Sequence, residues 1–181
     1  MPKTFIHLFG ASGSGTSTLG RRIAEETGFA FLDTDDFFWE DTDPPYSVKR
    51  PPAERLRRIR AELASHEAVV LSGSLPGWGD GLIPLFTLAI RVEAPAPLRM
   101  ERLRRRESER FGSRIEPGGD MFEAHRAFLD WAAAYDTAGP EQRSRALHDV
   151  WQEKLPCPLV LVDGSCPVEE NFERVRAYLE R

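Results

Sequence analysis

An apolar run, Phe5-Ile6-His7-Leu8-Phe9, breaks at Gly10 into Ala11-Ser12-Gly13-Ser14-Gly15-Thr16-Ser17-Thr18, and apolar residues then return at Leu19 and Ile23 with helical spacing. No other stretch constrains the fold so tightly. A strand must turn sharply into a helix that Gly28 can end. Gly10, four residues, then Gly15 is the glycine frame of a phosphate-binding loop. Glycines there let successive backbone N–H groups point inward, so that a helix N-terminus becomes an anion nest. Ser17 stands where such loops place a hydroxyl for Mg²⁺. Thr16 occupies the position of the lysine that reaches the β- and γ-phosphates. The loop promises phosphate binding more firmly than catalysis.

With 181 residues the chain is long enough for one domain with a full core. Its net charge of −5 speaks against a general nucleic-acid or membrane-surface binder. No apolar run is long enough to cross a membrane and no signal-like N-terminus is evident, which makes the cytoplasm the expected location. Cys157 and Cys166 lack metal-type spacing and read as free buried thiols. Lysine is confined to Lys3, Lys49 and Lys154, whereas arginine is abundant. A substitute for the loop lysine must come from that inventory.

Strand signals fall at 4–9, 29–33, 68–72, 87–92 and 158–162, separated by segments of helical period. This alternation predicts an α/β fold of three layers, a five-stranded parallel sheet with helices on both faces. Ligands in such sheets bind beyond the carboxyl ends of the strands. The second strand runs into Asp33-Thr34-Asp35-Asp36, where one carboxylate can serve a metal and another can take a proton from an attacking hydroxyl. Phe37, Phe38 and Trp39 read as core, with an aromatic wall for a flat substrate as the alternative. A proline-rich loop carrying Lys49-Arg50 precedes a helix started by Pro52 and striped by Leu56, Ile59 and Leu63. The third strand ends in Ser72-Gly73-Ser74, with no acidic residue at the usual metal-side position. Trp78 beyond it is either a lid or a loop anchor.

A helix beginning near Pro97 carries Arg99, Arg102, Arg106 and Arg110 on one face. Guanidiniums so placed repel one another unless an anion lies opposite, and their planar forks suit a transferring phosphoryl group. A flap at about 107–120 follows, and Asp120 and Glu123 resemble a capping box at the start of the next helix. That helix turns Phe128, Leu129, Ala132 and Tyr135 inward. It breaks at Gly139-Pro140 before a helix with Leu147, Val150, Trp151 and Leu155 at helical spacing. His125 and His148 on these helices read as structural or surface groups, and His7 as a core-edge residue. The last strand ends at Asp163-Gly164, and a closing helix carries Val168, Phe172, Val175 and Leu179.

Assembled in this order, the pieces resemble the P-loop kinases of small molecules and nucleotides, adenylate-kinase-like, shikimate-kinase-like and uridine-kinase-like. The resemblance covers nearly the whole chain except roughly 115–155. Gly10 to Ser17 resembles the phosphate loop. Phe31-Leu32-Asp33-Thr34-Asp35 resembles the shikimate-kinase motif, whose first aspartate serves the metal and whose second holds the acceptor hydroxyl. Arg102-Leu103-Arg104-Arg105-Arg106 resembles the adenylate-kinase helix whose first arginine stacks on adenine and whose second touches phosphate. Asp163-Gly164 resembles the adenine-side loop. Ser72-Gly73-Ser74 matches neither the triple glycine of shikimate kinases nor the Asp-Gly of nucleotide kinases, which leaves the acceptor open.

The resemblance implies one P-loop kinase-like domain over 1–181, with a small mobile lid at about 107–120 and extra helices at about 120–155. It implies transfer of the γ-phosphoryl group of Mg-ATP to a nucleotide or small hydroxyl metabolite. Gly10, Ser12, Gly13, Ser14, Gly15, Thr16, Ser17, Thr18 and Arg102 would bind the nucleotide. Ser17 and Asp33 would serve Mg²⁺, while Asp33, Asp35, Arg106 and Arg110 would carry the chemistry. The charge absent at Thr16 would come from the flap arginines first and Lys49 second. The rival is a nucleotide-binding regulatory protein or weak NTPase without kinase activity. Partners beyond nucleotide and acceptor are not implied, neither nucleic acid nor membrane, and the chain would act as a monomer or homodimer.

Overall fold

The computed structural model describes residues 3–179. Five strands form one parallel sheet: β1 (Thr4–Gly10), β2 (Ala30–Asp33), β3 (Ala68–Ser72), β4 (Leu88–Glu93) and β5 (Leu159–Asp163). Their order across the sheet is β2-β3-β1-β4-β5. The chain leaves β1 for the far edge, returns through β3, and then crosses to the other side of β1 at β4. The order therefore reverses around β1, and the crevice at its carboxyl end is the place where such sheets take ligands. The expected strands match to within a residue at most ends.

Alternation along β1 divides the core in two. Ile6 and Leu8 face a layer built from α1 (Thr16–Thr27) and α7 (Val168–Leu179), where Leu19, Ile23, Phe172 and Val175 are buried. Phe5 and Phe9 face the opposite layer, with Ile59 and Leu63 of α3 (Pro52–Ala64) and Trp151 of α6 (Arg145–Gln152). A short α2 (Thr34–Phe38) follows β2, while α4 (Ala96–Phe111) and α5 (Phe122–Ala133) pack together through Met100, Leu103 and Ala132 with Phe128 and Leu129 beside them. Among the described residues no helix is long and apolar enough to cross a membrane.

Four local expectations change. His7 is not at the core edge but fully buried, stacked on Phe86 and Phe9, with Nδ1 bonded to the Leu71 carbonyl. Asp120 does not cap α5. Its carboxylate is taken by Arg114 in a bidentate pair, which leaves the helix start without a side-chain cap. Val150 turns outward on α6. Cys157 and Cys166 are free, as expected, but half-exposed rather than buried.

Candidate active site

The phosphate loop has the shape its sequence requires. Gly13 (φ 80°) and Gly15 (φ 104°) adopt left-handed backbone that side chains resist. A Cβ on Gly13 would also stand 2.7 Å from the Arg99 carbonyl, so α4 packs directly on the loop. Gly15 is the N-cap of α1 and no side chain caps the helix, leaving its first-turn N–H groups to a ligand. Inside the loop the Ser14 hydroxyl is buried with no hydrogen-bond partner. An anion in the loop would satisfy it, and the loop thus fits a nucleotide's phosphates.

Beside the loop three oxygen groups converge. Ser17 Oγ donates to Asp33 Oδ2 at 3.1 Å and lies 3.2 Å from the Ser72 hydroxyl. The other Asp33 oxygen accepts the Asp35 N–H and caps α2. Among the described residues no three His, Cys, Asp or Glu side chains group to hold a metal by themselves. Hydroxyl and carboxylate oxygens with room left over suit Mg²⁺, which keeps waters and phosphate oxygens in its shell. Ser72, buried at the end of β3, stands at the metal-side position that carries no acidic residue in this chain. Only its position after an apolar run marked it in the sequence.

Asp35 is exposed on the first turn of α2 and lines a groove. Desolvation by the surrounding protein pushes its pKa up, the neighbouring Asp33 charge adds to the shift, and Arg143 and Arg106 oppose it. Asp36 is raised for similar reasons, burial first and then Asp33, against Arg21 and Arg110. Next to both lies a groove of about 300 Å³ lined by Trp39, Glu40, Asp41, Thr42, Pro45, Tyr46 and Arg50. Tyr46 holds left-handed backbone (φ 61°) and turns its ring to Trp39 and to the Arg110 guanidinium at 5.2 Å. The aromatic cluster therefore splits: Phe37 packs on the core while Trp39 forms a wall. Trp78 is an anchor, its indole N–H bonded to the Ser74 carbonyl.

The arginine face of α4 also divides. Arg102 reaches the Gly13 and Ser14 carbonyls at 3.4 and 3.5 Å, and Arg106 bears on Asp35 while paired with Glu107. Arg110 stands farther out, over Tyr46. Arg99 leaves the face altogether: it is buried and bound to Asp136 at 2.6 Å. Ser12 lies half-buried in the loop, while Thr16 and Thr18 sit on the first turn of α1, Thr18 exposed. The 163–165 loop abuts the phosphate loop, since a side chain on Gly164 would strike the Ser14 carbonyl. Arg114 ties the 112–115 turn both to Asp120 and to Asp43 in the loop before α3. Lys49 is exposed, on an antiparallel bridge to Trp39.

Arg143, just before α6, was not singled out in the sequence. It is half-buried, donates to the Gly10 carbonyl at 2.8 Å, and faces Asp35 and Asp33. It lies in the segment that the resemblance did not cover.

No family model matches the chain. YqaC of Bacillus subtilis (strain 168), itself uncharacterized, is 42% identical over 98% of both chains. A shikimate kinase of Mycobacterium avium (strain 104) is 33% identical over 67% of this chain and 72% of its own. A solved shikimate kinase from Bacteroides thetaiotaomicron superposes with a TM-score of 0.58 over 98% of this chain and 99% of its own, at 14% identity.

Proposed function

Since the chain belongs to the P-loop kinase superfamily, among its adenylate- and shikimate-kinase-like members, we propose that it transfers a phosphoryl group from Mg-ATP to the hydroxyl of a small acceptor. The observation that carries this reading is the meeting of Ser17, Ser72 and Asp33 at the loop, with Asp35 two residues from the metal-side carboxylate. ATP supplies the phosphoryl group and Mg²⁺ spreads its charge. The backbone from Gly13 to Ser17 cradles the phosphates, and Ser17, Ser72 and Asp33 hold the metal or its waters. Asp35 orients the acceptor hydroxyl and takes its proton. Arg102 flanks the nucleotide, while Arg106 and Arg110 neutralise charge as the 107–120 segment folds over.

The groove beside Asp35 narrows the acceptor. Glu40 is paired with Arg50 in its wall, while Asp35, Asp36 and Asp41 leave the lining negative on balance, and Trp39 and Tyr46 give it flat apolar faces. Carboxylates that accept several hydroxyls beside aromatic rings suit an uncharged polyhydroxy compound, and they repel a carboxylate or a phosphate monoester. The test is Mg²⁺-dependent ADP formation with neutral polyols and sugars, carboxylic acids, and nucleoside monophosphates in separate arms. Stimulation by a neutral polyol is the expected result. Stimulation by monophosphates alone would replace the acceptor class. Tight ATP binding with no stimulation in any arm would favour a regulatory nucleotide binder.

A further inference from the structure

We propose that Arg143 supplies the charge that Thr16 leaves out of the phosphate loop, reaching the β- and γ-phosphates from the start of α6; the inference rests on the kinase reading above. None of the lysines stands at the loop. Lys3 is bonded to the Ala64 and His66 carbonyls, Lys154 to Asp80, and Lys49 sits exposed at the Trp39 bridge. Most arginines near the cleft are already paired: Arg91 with Asp149, Arg99 with Asp136, Arg106 with Glu107, and Arg145 with Glu93.

Arg143 differs from these. Among the described residues it has no carboxylate within ion-pair distance, and its Nε is buried with no partner. A half-buried cation left in this way is costly unless an anion joins it. One arm of its fork rests on the carbonyl of Gly10, the first glycine of the loop, and the guanidinium faces both Asp33 and Asp35. It therefore sits against the phosphate cradle and within electrostatic reach of the two carboxylates. The planar fork keeps further donors, the unpartnered Nε among them, with which to meet phosphate oxygens.

Its position is built, not incidental. Ser144 caps α6 through the Leu147 N–H and donates to the Gly139 carbonyl, fixing the residue next to Arg143. His148 packs edge-on against Phe9 of β1 and shares a hydrogen bond with Tyr135. Trp131 of α5 lies under the guanidinium with its ring centre at 5.7 Å.

The test measures dissociation constants for Mg-ATP and for AMP, which lacks the two outer phosphates. Arg143→Ala should weaken ATP by about 10- to 100-fold, the range for lost hydrogen bonds to charged groups, and leave AMP within a factor of about two. Arg143→Gln keeps an amide N–H but removes the charge and the forked donors, so it should lose ATP affinity as well. Thr16→Lys added to Arg143→Ala should restore ATP binding, a rescue that a merely structural arginine would not permit. Unchanged ATP affinity in both single variants would overturn the proposal, as would equal losses of ATP and AMP, or a raised acceptor KM alone. A wild-type protein that binds no ATP would instead remove the kinase reading, and this inference with it.

Discussion

At Asp35 a carboxylate is asked to hold a proton and to give up its place to one. Desolvation by the surrounding protein and the Asp33 charge raise its pKa, so its protonated form persists to higher pH than that of an ordinary aspartate. Two consequences follow from the sign. If Asp35 is the base, as proposed, it would work only when ionised, so turnover should fall as pH drops through its raised pKa, with an acidic limb above that of a free carboxylate. As a folded group, it contributes stability below the unfolded value near 3.8 and loses that contribution as pH rises through the folded one. Asp35→Asn should therefore lower kcat by about 10²- to 10⁴-fold and yet melt no lower than the wild type at pH 7, the difference in melting shrinking towards pH 4. A variant that keeps its turnover would dismiss Asp35 as the base. Melting curves beside a pH–rate profile separate the two roles.

Between residues and the whole fold, α4 shows why one arginine stripe can serve two masters. Periodicity puts Arg99, Arg102, Arg106 and Arg110 on one face, but α4 packs tightly on the loop at its first turns and opens outward later. Arg99 is thus enclosed, and it answers to Asp136, which Arg145 also grips. Asp136→Ala would leave a buried guanidinium unpaired and should cost about 3–5 kcal/mol by urea unfolding. A loss under 1 kcal/mol would show that the pair is replaceable. The same contrast explains what the sequence disclosed. Strands β1 to β5, the loop and the Ser17–Asp33–Asp35 set rest on local patterns: apolar runs, glycines and carboxylates at strand ends. Ser72 and Arg143 carry no such pattern. One is a hydroxyl brought beside Ser17 across 55 residues of sequence. The other is an arginine among many, brought to the loop only by the packing of α6 on β1. Helix periodicity also could not tell that Asp120 would prefer Arg114 to the start of α5.

Across the whole molecule, two buried imidazoles link stability to pH. Desolvation lowers His7 to about 3 and His148 to about 2. Both are neutral in the fold, while their unfolded counterparts take up protons near 6.5. Stability should be fullest above pH 6.5 and should fall as pH drops towards 3, by about 1.4 kcal/mol per pH unit for each imidazole. Denaturant unfolding between pH 7 and 5 reads this slope, and a flat result would show that water reaches both rings. Gly10 and Arg143 lie 133 positions apart in the chain. During synthesis the cradle leaves the ribosome long before its counter-charge has been made. A nascent chain with β1 and α1 in place holds the glycines but not the guanidinium, so on the proposed role of Arg143 tight ATP binding would wait until the start of α6 has folded back onto the loop. Affinity for ATP would then report that two segments far apart in the chain, β1 with its loop and the start of α6, have come together.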